Sequence, residues 1–347
     1  MSQPPSEAEP WSVRPRPRSG ESLSGWLARV ADAHGESLHR FGVTKLRFPA
    51  ITVRDIDLHA PDFFVDWIVA SSGLPRDDVT ALLLPRLSAA AGGSAGGITP
   101  WVLPLALLAR TNFRHGQQAC LACLQEGEMI CGQWRYAFAV ACDQHGGWLI
   151  DACPHCDAPL GRLLHARVER CTQCQRSWAH PLVHAPRPFF SPAYSLQQWL
   201  TAAWARDKLL RVGGQEVGLA DALRGFRFLM RLDARIGGRP PDGGVVERMR
   251  TQDRIAWLDR LAQQLGDWPR AFLQRAAEAG VSRDPFPGEK VPQWVRDALA
   301  ELRPVRPHCR AAPGERDAIL ASLRRLKPLQ WRSRYARRLC ALSGVRT

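Results

Sequence analysis

The chain has 347 residues, 45% of them hydrophobic, which is enough for two or three folded domains. It has no run of ~18 apolar residues that would span a membrane, and its charged, proline-containing start does not resemble a secretory signal, so a cytoplasmic protein is expected. The net charge of +14 favours a polyanionic partner, although an Arg-rich composition alone is the competing explanation.

The first 97 residues predict an extended segment followed by a helical domain. Residues 1–18 are rich in Pro and Arg, and they are expected to be extended because proline removes backbone donors and restricts its neighbours. Within residues 19–97, one helix is expected to begin near Ser19 to Ser22, and two more flank Gly73. Their predicted inward residues are Leu23, Trp26, Leu27, Val30, Phe63, Phe64, Trp67, Ile68, Val79, Leu82 and Leu83. The Gly- and Ala-rich residues 89–97 predict a flexible link that ends this domain.

Residues 98–190 contain most of the cysteines. Eight of the ten cysteines lie between Cys120 and Cys174, and closely spaced pairs in an intracellular protein are more often metal ligands than disulfides. Four ligand pairs, each with two intervening residues, follow one another, and two such pairs complete a tetrahedral Zn²⁺ site. The candidate ligands are Cys120, Cys123, Cys142, His145, Cys153, Cys156, Cys171 and Cys174. We therefore predict two structural zinc ions in tandem zinc ribbons.

The four ligand pairs are predicted to combine in sequential order. The first two are separated by 18 residues and the last two by 14, and both spacings are typical of zinc ribbons. The alternative, in which Cys142 and His145 combine with Cys153 and Cys156, stays open.

Both arrangements supply four protein ligands, whereas a catalytic zinc keeps one position for water. The zinc-deaminase signature is missing, because His145 is followed by two glycines and Cys153 is preceded by alanine. Cys131, Cys309 and Cys340 are interpreted as small apolar residues.

Outside the metal ligands, the sequence predicts one strand and a helical C-terminal domain over residues 191–302. From Trp134 to Val140, the sequence has a period of two, which predicts a strand. The residues Trp134, Tyr136, Phe138 and Val140 alternate with Arg135, Ala137 and Ala139. In the C-terminal domain, two helices are joined by a turn at Asp267–Pro269, and either a DNA-reading helix-turn-helix or an ordinary αα-hairpin would have this pattern. The apolar positions of the predicted helices are Leu196, Trp199, Leu200, Ile255, Leu258, Leu261, Ala262, Leu265, Phe272, Leu273 and Ala276.

Residues 303–347 are predicted to form a basic helical tail. It contains twelve Lys and Arg against two acids, so most of the excess positive charge is concentrated there. A solvated basic face is one interpretation, and a surface that contacts phosphates is the preferred one. The candidate nucleic-acid-binding residues are Arg324, Arg325, Lys327, Arg332, Arg334, Arg337 and Arg338.

Two stretches of the sequence carry a recognisable family pattern. The first is Arg16-Pro17-Arg18-Ser19-Gly20-Glu21-Ser22-Leu23-Ser24-Gly25-Trp26-Leu27. The second runs from Trp101-Val102-Leu103-Pro104 through Cys120, Trp134 and Cys142-Asp143-Gln144-His145-Gly146 to Cys153-Pro154-His155-Cys156-Asp157-Ala158-Pro159-Leu160. Together these stretches resemble the TniQ family, the target-selection proteins of Tn7-like and related transposons. The resemblance covers roughly the first half of the chain.

The patterns and the resemblance together imply a fold and a role. The fold is expected to be mainly α with a central zinc-ribbon region: an N-terminal helical domain, tandem zinc-binding ribbons, and a C-terminal helical domain with helix-turn-helix-like hairpins. The resemblance implies a non-catalytic adaptor that links a target-recognition module to the AAA+ ATPase regulator, which recruits the transposase. That module is a DNA-binding relative or a CRISPR effector with its guide RNA. DNA or RNA, and a second copy of the chain in a homodimer, are the other partners that it implies.

Two other functions stay open on the sequence. One is a zinc-ribbon transcriptional regulator that binds DNA or RNA outside transposition, and the other is a metal-dependent nucleic-acid enzyme. The chain also departs from the family pattern, because Leu121 stands where proline is frequent. It is also short for a member that recognises a DNA site alone, which argues against autonomous target recognition.

Overall fold

The computed structural model describes eleven stretches of the chain. They are residues 8–52, 54–84, 99–104, 116–126, 130–160, 170–171, 173–177, 191–206, 209–237, 246–278 and 291–301. The chain divides into a unit of Met1–Leu302 and a second unit of Arg303–Thr347, and every described residue belongs to the first unit. The Gly/Ala link at 89–97 and the basic tail lie outside the described residues. The boundaries at residues 18, 97, 190 and 302 stay predictions.

Four helices form the described part of the N-terminal region. They are α1 (Leu23–Ala33), α2 (Leu38–Thr44), α3 (Asp62–Ser72) and α4 (Arg76–Thr80), with a 3-10 turn at Pro49–Thr52. Helix α1 begins where the Ser22 hydroxyl accepts a hydrogen bond from the N–H of Gly25 at 3.1 Å. Helix α3 ends at Gly73, which has the left-handed conformation that glycine adopts without strain. Local signals therefore determine both helix ends.

The predicted buried face of α3 is partly wrong. Phe64 and Ile68 are fully buried, as predicted, but Phe63 is 53% exposed and Val65 lies in the core in its place. Both sides of this helix carry apolar residues, so helical spacing alone does not show which side faces the core. The seven-residue helix α2 was not predicted.

The Cys-rich segment contains little regular structure among its described residues. It has one short helix, α5 (Leu121–Gln125), a 3-10 turn at Gly132–Arg135, and isolated bridges such as Val102 to Tyr136. The strand predicted from Trp134 to Val140 is wrong, because this stretch begins in the 3-10 turn and forms no ladder with another described strand. All its side chains are buried. The alternation therefore does not separate the inside of a sheet from the outside, because both sets of residues lie in the interior.

Five helices and one hairpin form the described C-terminal region. They are α6 (Pro192–Arg206), β1 (Leu210–Val212), β2 (Gln215–Val217), α7 (Leu219–Gly237), α8 (Thr251–Gly266), α9 (Arg270–Glu278) and α10 (Gln293–Ala300), and a 3-10 turn at Val246–Arg248 precedes α8. The antiparallel strands join through Gly213 and Gly214, whose positive φ angles suit a tight hairpin turn. Helices α6, α8 and α9 were predicted, whereas α7 and the hairpin were not. The predicted fold class, mainly helical with two Cys-rich clusters, is confirmed.

The Cys-rich segment contributes residues to two hydrophobic cores. The first contains Trp26 and Phe64 of the N-terminal helices together with Trp134. The second contains Tyr136 and the apolar faces of α6 to α10. The segment thus passes from one core to the other within two residues and is packed against both. In the part of the chain that the structure describes, no helix combines the length and apolarity needed to cross a membrane.

Candidate metal centres

The first ligand pair lies at the start of a helix. Cys120 precedes α5, and Cys123 lies in its first turn. The N–H of Leu124 donates to the carbonyl of Cys120 at 3.1 Å, the ordinary helical bond. Ala119 exchanges two backbone hydrogen bonds of 2.9 Å with Ile150, which holds this helix start beside the later part of the segment.

The other three ligand pairs lie in tight turns with one shared geometry. In the turn that begins at Cys142, its N–H donates to Gly147 at 2.8 Å and its carbonyl accepts from Gly146 at 2.7 Å. The turns that begin at Cys153 and Cys171 repeat both bonds at the same relative positions. In each turn, a backbone N–H also lies close to the sulphur of the first cysteine. The distance is 3.5 Å for Cys142, 3.4 Å for Cys153 and 3.3 Å for Cys171. Such donors favour the thiolate, the form in which cysteine binds metals.

The fifth residue of each tight turn has a left-handed backbone. The three residues are Gly146 with φ 62°, Asp157 with φ 58° and Gln175 with φ 58°. This conformation costs a residue with a Cβ atom about 1–2 kcal/mol, whereas glycine adopts it freely. Of the three turns, only the one that begins at Cys142 has glycine at its fifth position. Substitution of Gly146 therefore tests most directly whether this position is left-handed.

Gly146→Ala is expected to lower the free energy of unfolding by about 1–2 kcal/mol, because it places a Cβ atom on a left-handed residue. Urea unfolding of the zinc-loaded protein measures this change. Gly147→Ala is the matched control, since an added Cβ there meets no described atom within 4 Å, and it is expected to leave stability unchanged. Equal losses in the two variants would contradict the proposed turn geometry.

The imidazole of His145 completes the first cluster. Its Nδ1 lies 3.6 Å from the sulphur of Cys120, 3.2 Å from that of Cys123 and 3.7 Å from that of Cys142. Its other ring nitrogen, Nε2, lies 3.1 Å from a carboxylate oxygen of Glu126. A carboxylate on the second nitrogen of a ligating histidine fixes the tautomer and the ring orientation. Glu126 therefore orients His145 toward the three sulphurs.

Four sulphurs form the second cluster. Those of Cys153 and Cys174 are 3.8 Å apart, and those of Cys156 and Cys171 are 3.7 Å apart. Disulfide sulphurs would be about 2.05 Å apart, whereas sulphurs on a tetrahedral zinc, with bonds of about 2.3 Å, would be about 3.8 Å apart. In each cluster, the four ligand atoms lie within 4.8 Å of one another. The structure thus brings together the ligand sets of the sequential pairing, and their spacing fits zinc.

The pKa values of the cysteine thiols differ strongly within each cluster. Burial raises the pKa of Cys153 to about 12, whereas a hydrogen bond from the N–H of Arg176 lowers the pKa of Cys174 to about 7. In the first cluster, hydrogen bonds from the other two thiols hold the pKa of Cys142 far below its ordinary value. Adjacent thiolates repel one another, and a bound divalent cation removes this repulsion. The donor chemistry therefore also fits a metal.

A buried arginine ties the Cys-rich segment to the N-terminal helices. Arg135 is 3% exposed and contacts Asp57 at 3.0 Å and Asp55 at 2.5 Å, while its Nε donates to the carbonyl of Leu103 at 3.0 Å. Asp57 is also buried, and it accepts two hydrogen bonds of 2.7 Å from the N–H and hydroxyl of Ser24 in the first turn of α1. One carboxylate therefore both caps α1 and neutralises Arg135.

Two buried glutamines tie the same segment to the C-terminal helices. Gln118 donates to two backbone carbonyls of the segment at 2.6 and 2.7 Å, and its side-chain oxygen accepts from Arg254 of α8 at 2.7 Å. Gln197 of α6 accepts from the N–H groups of Val140 and Ala141 at 2.7 and 2.9 Å. These backbone carbonyl and N–H groups are not paired in a β-sheet, and the side chains of Gln118 and Gln197 supply their hydrogen-bond partners.

Two aspartates beside the second cluster hold the start of α8. Asp151 accepts from the N–H of Thr251, the first residue of α8, at 2.6 Å. Asp157 pairs with Arg250, the residue before α8, at 2.7 Å. A carboxylate at a helix N-terminus satisfies a free N–H and complements the helix dipole. The second cluster is therefore attached directly to α8.

The remaining predicted site residues are not part of either cluster. Cys131 is half-buried and outside both ligand sets, and Cys309 and Cys340 lie outside the described residues. The candidate nucleic-acid-binding residues also lie outside the described residues, and they are Arg324, Arg325, Lys327, Arg332, Arg334, Arg337 and Arg338. The sequence reasoning missed Glu126 and Arg135. An arginine in an otherwise apolar run was a usable signal for a buried ion pair, whereas no spacing marks Glu126.

The fold and the clusters define a mainly helical protein with two four-ligand clusters, one of three cysteines and a histidine and one of four cysteines, each of which could hold a metal ion. Residues 12–149 match the TniQ family model. Over that part of the chain, this match confirms the resemblance that the sequence motifs carry. The matched residues include α1 to α5 and the first cluster, whereas the second cluster and α6 to α10 follow them. No curated protein matches the chain. The match supports a transposition-associated role in target selection.

Proposed function

We propose that this protein is a non-catalytic target-selection adaptor of a Tn7-like transposon. It bridges a target-bound recognition module to the AAA+ ATPase regulator that recruits the transposase. The recognition module is a DNA-binding relative or a CRISPR effector with its guide RNA. The observation that carries the proposal is the TniQ match over residues 12–149.

Each cluster is proposed to hold one structural Zn²⁺. The sets of three cysteines with one histidine and of four cysteines support this proposal, because both fill a tetrahedral zinc with protein ligands. Such a site leaves no coordination position for a reacting water. The bound metal would contribute folding free energy to a segment whose described residues form only short helical turns. We therefore do not expect metal-dependent catalysis.

The way in which the Cys-rich segment is anchored fits an adaptor. Arg135 connects it to the N-terminal helices, and Gln118 and Gln197 connect it to the C-terminal helices. These contacts support a scaffold in which helical surfaces on either side of the segment are held in a fixed relation. A bridging protein gains affinity from such preorganisation, because less conformational entropy is lost when both partners bind.

The basic tail is proposed to contact the phosphate backbone of DNA or RNA. Its cations from Arg324 to Arg338 would neutralise phosphates whatever the base sequence, so they would strengthen binding without selecting a target. This role agrees with an adaptor that leaves target choice to its recognition module. A homodimer, which the family resemblance implies, also stays a proposal.

A capture experiment tests the adaptor function. The purified chain is expected to contain two zinc ions and to retain the AAA+ ATPase encoded beside it when ATP is present. An AAA+ ATPase from an unrelated transposon, at the same concentration, is the control and is not expected to bind. Two zinc ions without capture would favour the alternative function, a zinc-ribbon transcriptional regulator. Fewer than two ions in folded protein would contradict the ligand assignment.

A further inference from the structure

A cleft opens between the Cys-rich segment, the turn after α4 and one side of α6. Its cavity volume is about 300 Å³. Ligand pockets span ~300–1,000 Å³, so this one is at the lower limit and suits a single side chain or a small molecule. The turn after α4 contributes Leu82 and Leu84, and α6 contributes Gln197, Thr201 and Trp204.

Aromatic rings form part of the wall of this cleft. Tyr136 of the Cys-rich segment stacks on Phe138, with ring centroids 5.4 Å apart. The ring of Tyr136 also packs against Trp204 of α6, with ring centroids 5.8 Å apart. Tyr136 is 5% exposed, whereas Trp204 is half-buried. The faces of such rings attract cations, because the π-electrons give them a negative potential.

Two polar groups of the lining can accept a hydrogen bond from an occupant. Asp143 is exposed, and its Oδ1 accepts from the Nε2 of Gln197 at 3.0 Å. No residue that the structure describes forms a hydrogen bond with Oδ2 of Asp143 or with the hydroxyl of Tyr136. Both atoms are therefore available to a donor that enters the cleft.

The charge of the cleft is opposite to that of the chain as a whole. Its described lining residues include two carboxylates, Glu21 and Asp143, and no Lys, Arg or His. Glu21 is already neutralised by Arg29, which it contacts at 2.7 Å. Asp143 is thus the charge that an occupant meets, so electrostatic complementarity favours a cation and disfavours a phosphate.

We propose that the cleft binds an arginine side chain of a partner protein. Its guanidinium donates to Asp143 and to the hydroxyl of Tyr136, and its methylene groups lie against Trp204. Arginine suits these groups better than lysine, because its planar guanidinium is weakly hydrated, stacks on aromatic faces and carries five N–H donors. This inference goes beyond the adaptor role and does not rest on it.

An NMR titration of the full, zinc-loaded chain with N-acetylarginine amide tests the proposal. The reporter is the indole N–H resonance of Trp204, which is identified by its loss in Trp204→Phe. N-acetylcitrulline amide has nearly the same shape without the charge, and it is expected to bind about 10-fold more weakly because a charge-assisted hydrogen bond is lost. N-acetyllysine amide is also expected to bind more weakly than the arginine derivative.

Two substitutions test the polar groups separately. Asp143→Asn is expected to weaken binding of the arginine derivative about 10-fold. Asparagine keeps an oxygen that can accept from Gln197, so the variant should fold and retain its zinc, which metal analysis checks. Tyr136→Phe keeps the ring and is expected to weaken binding about 2- to 10-fold through loss of the hydroxyl. Glu216→Gln, which removes an exposed carboxylate from the hairpin, is the matched control and should leave binding unchanged.

Four results would each overturn the proposal. They are an unshifted Trp204 resonance, equal affinity for the arginine and citrulline derivatives, unchanged affinity in Asp143→Asn, and a shift of the Trp204 resonance by inorganic phosphate. Because the titration contains no ATPase, failure of the unsubstituted chain to capture the ATPase would contradict the adaptor function alone.

Discussion

Replacing Cys153 and Cys156 by serine is expected to reduce the zinc content from two ions per chain to one and to unfold the second cluster. Serine is not ionised at neutral pH and does not replace a thiolate ligand, so half of the coordination shell is lost. Structural zinc contributes about 10–16 kcal/mol in small zinc-binding peptides, comparable to the whole stability of a domain. Metal analysis of the purified variant and amide hydrogen exchange measure the two effects.

The unfolding of the second cluster should also destabilise the start of α8. Asp151 and Asp157, on either side of the first ligand pair of this cluster, contact Thr251 and Arg250 at that helix end. Their displacement would remove a cap, which is worth about 0.5–2 kcal/mol, and exchange in the first turn of α8 should accelerate. We also expect the variant to lose ATPase capture.

Cys131→Ser is the matched control for this experiment. Cys131 is in the same segment but outside both ligand sets, so the variant is expected to retain two zinc ions, ordinary exchange in α8 and ATPase capture. If the double variant at Cys153 and Cys156 kept its second zinc or its fold, the structural role of the second cluster would be refuted.

Arg135→Met is expected to have the second large effect, a loss of about 3–5 kcal/mol in the free energy of unfolding. The substitution leaves the carboxylate of Asp57 buried beside α1 without its counter-ion. Methionine fills much of the space, so most of the loss is electrostatic. Urea unfolding of the zinc-loaded chain measures it. Adding Asp57→Asn should recover part of the loss, because the buried negative charge is then removed.

Arg76→Met provides the comparison for Arg135→Met. Arg76 also pairs with two aspartates, Asp62 and Asp66, but its side chain is 44% exposed. Pairs in contact with solvent contribute about 0–1 kcal/mol, so this variant should lose no more than that. Similar losses for the two arginines would show that the network around Arg135 does not hold the Cys-rich segment to the N-terminal helices.

Local patterns were enough to predict the ligand pairs and several helix ends. The hydrogen bonds that define the three tight turns join residues no more than five positions apart, so they arise locally from the Cys-x-x-Cys and Cys-x-x-His patterns. The fourth pair, Cys120 and Cys123, has the same spacing but lies at a helix start. Ser22 at the start of α1 and Gly73 at the end of α3 are also local signals. The family resemblance rests on these same local motifs.

Long-range contacts explain the predictions that were wrong or missing. The stretch from Trp134 to Val140 was predicted as a strand because its aromatic and aliphatic residues recur with a period of two, but packing against two cores buries the intervening residues as well. Phe63 looked like a core residue, yet the tertiary structure turns Val65 inward and leaves Phe63 at the surface. Glu126 has no local pattern that would show its contact with His145.

The sequence by itself carried the resemblance to the TniQ family over the first part of the chain, the mainly helical fold class and the candidate metal ligands, because each depends on motifs a few residues long. The tertiary structure decided which ligand pairs come together, which face of α3 is exposed and what anchors the Cys-rich segment. These features depend on contacts between distant residues, such as Arg135 with Asp57, 78 positions away, and Arg254 with Gln118, 136 positions away. Residue spacing carries no information about such pairs, since their geometry arises only when both helical cores have formed.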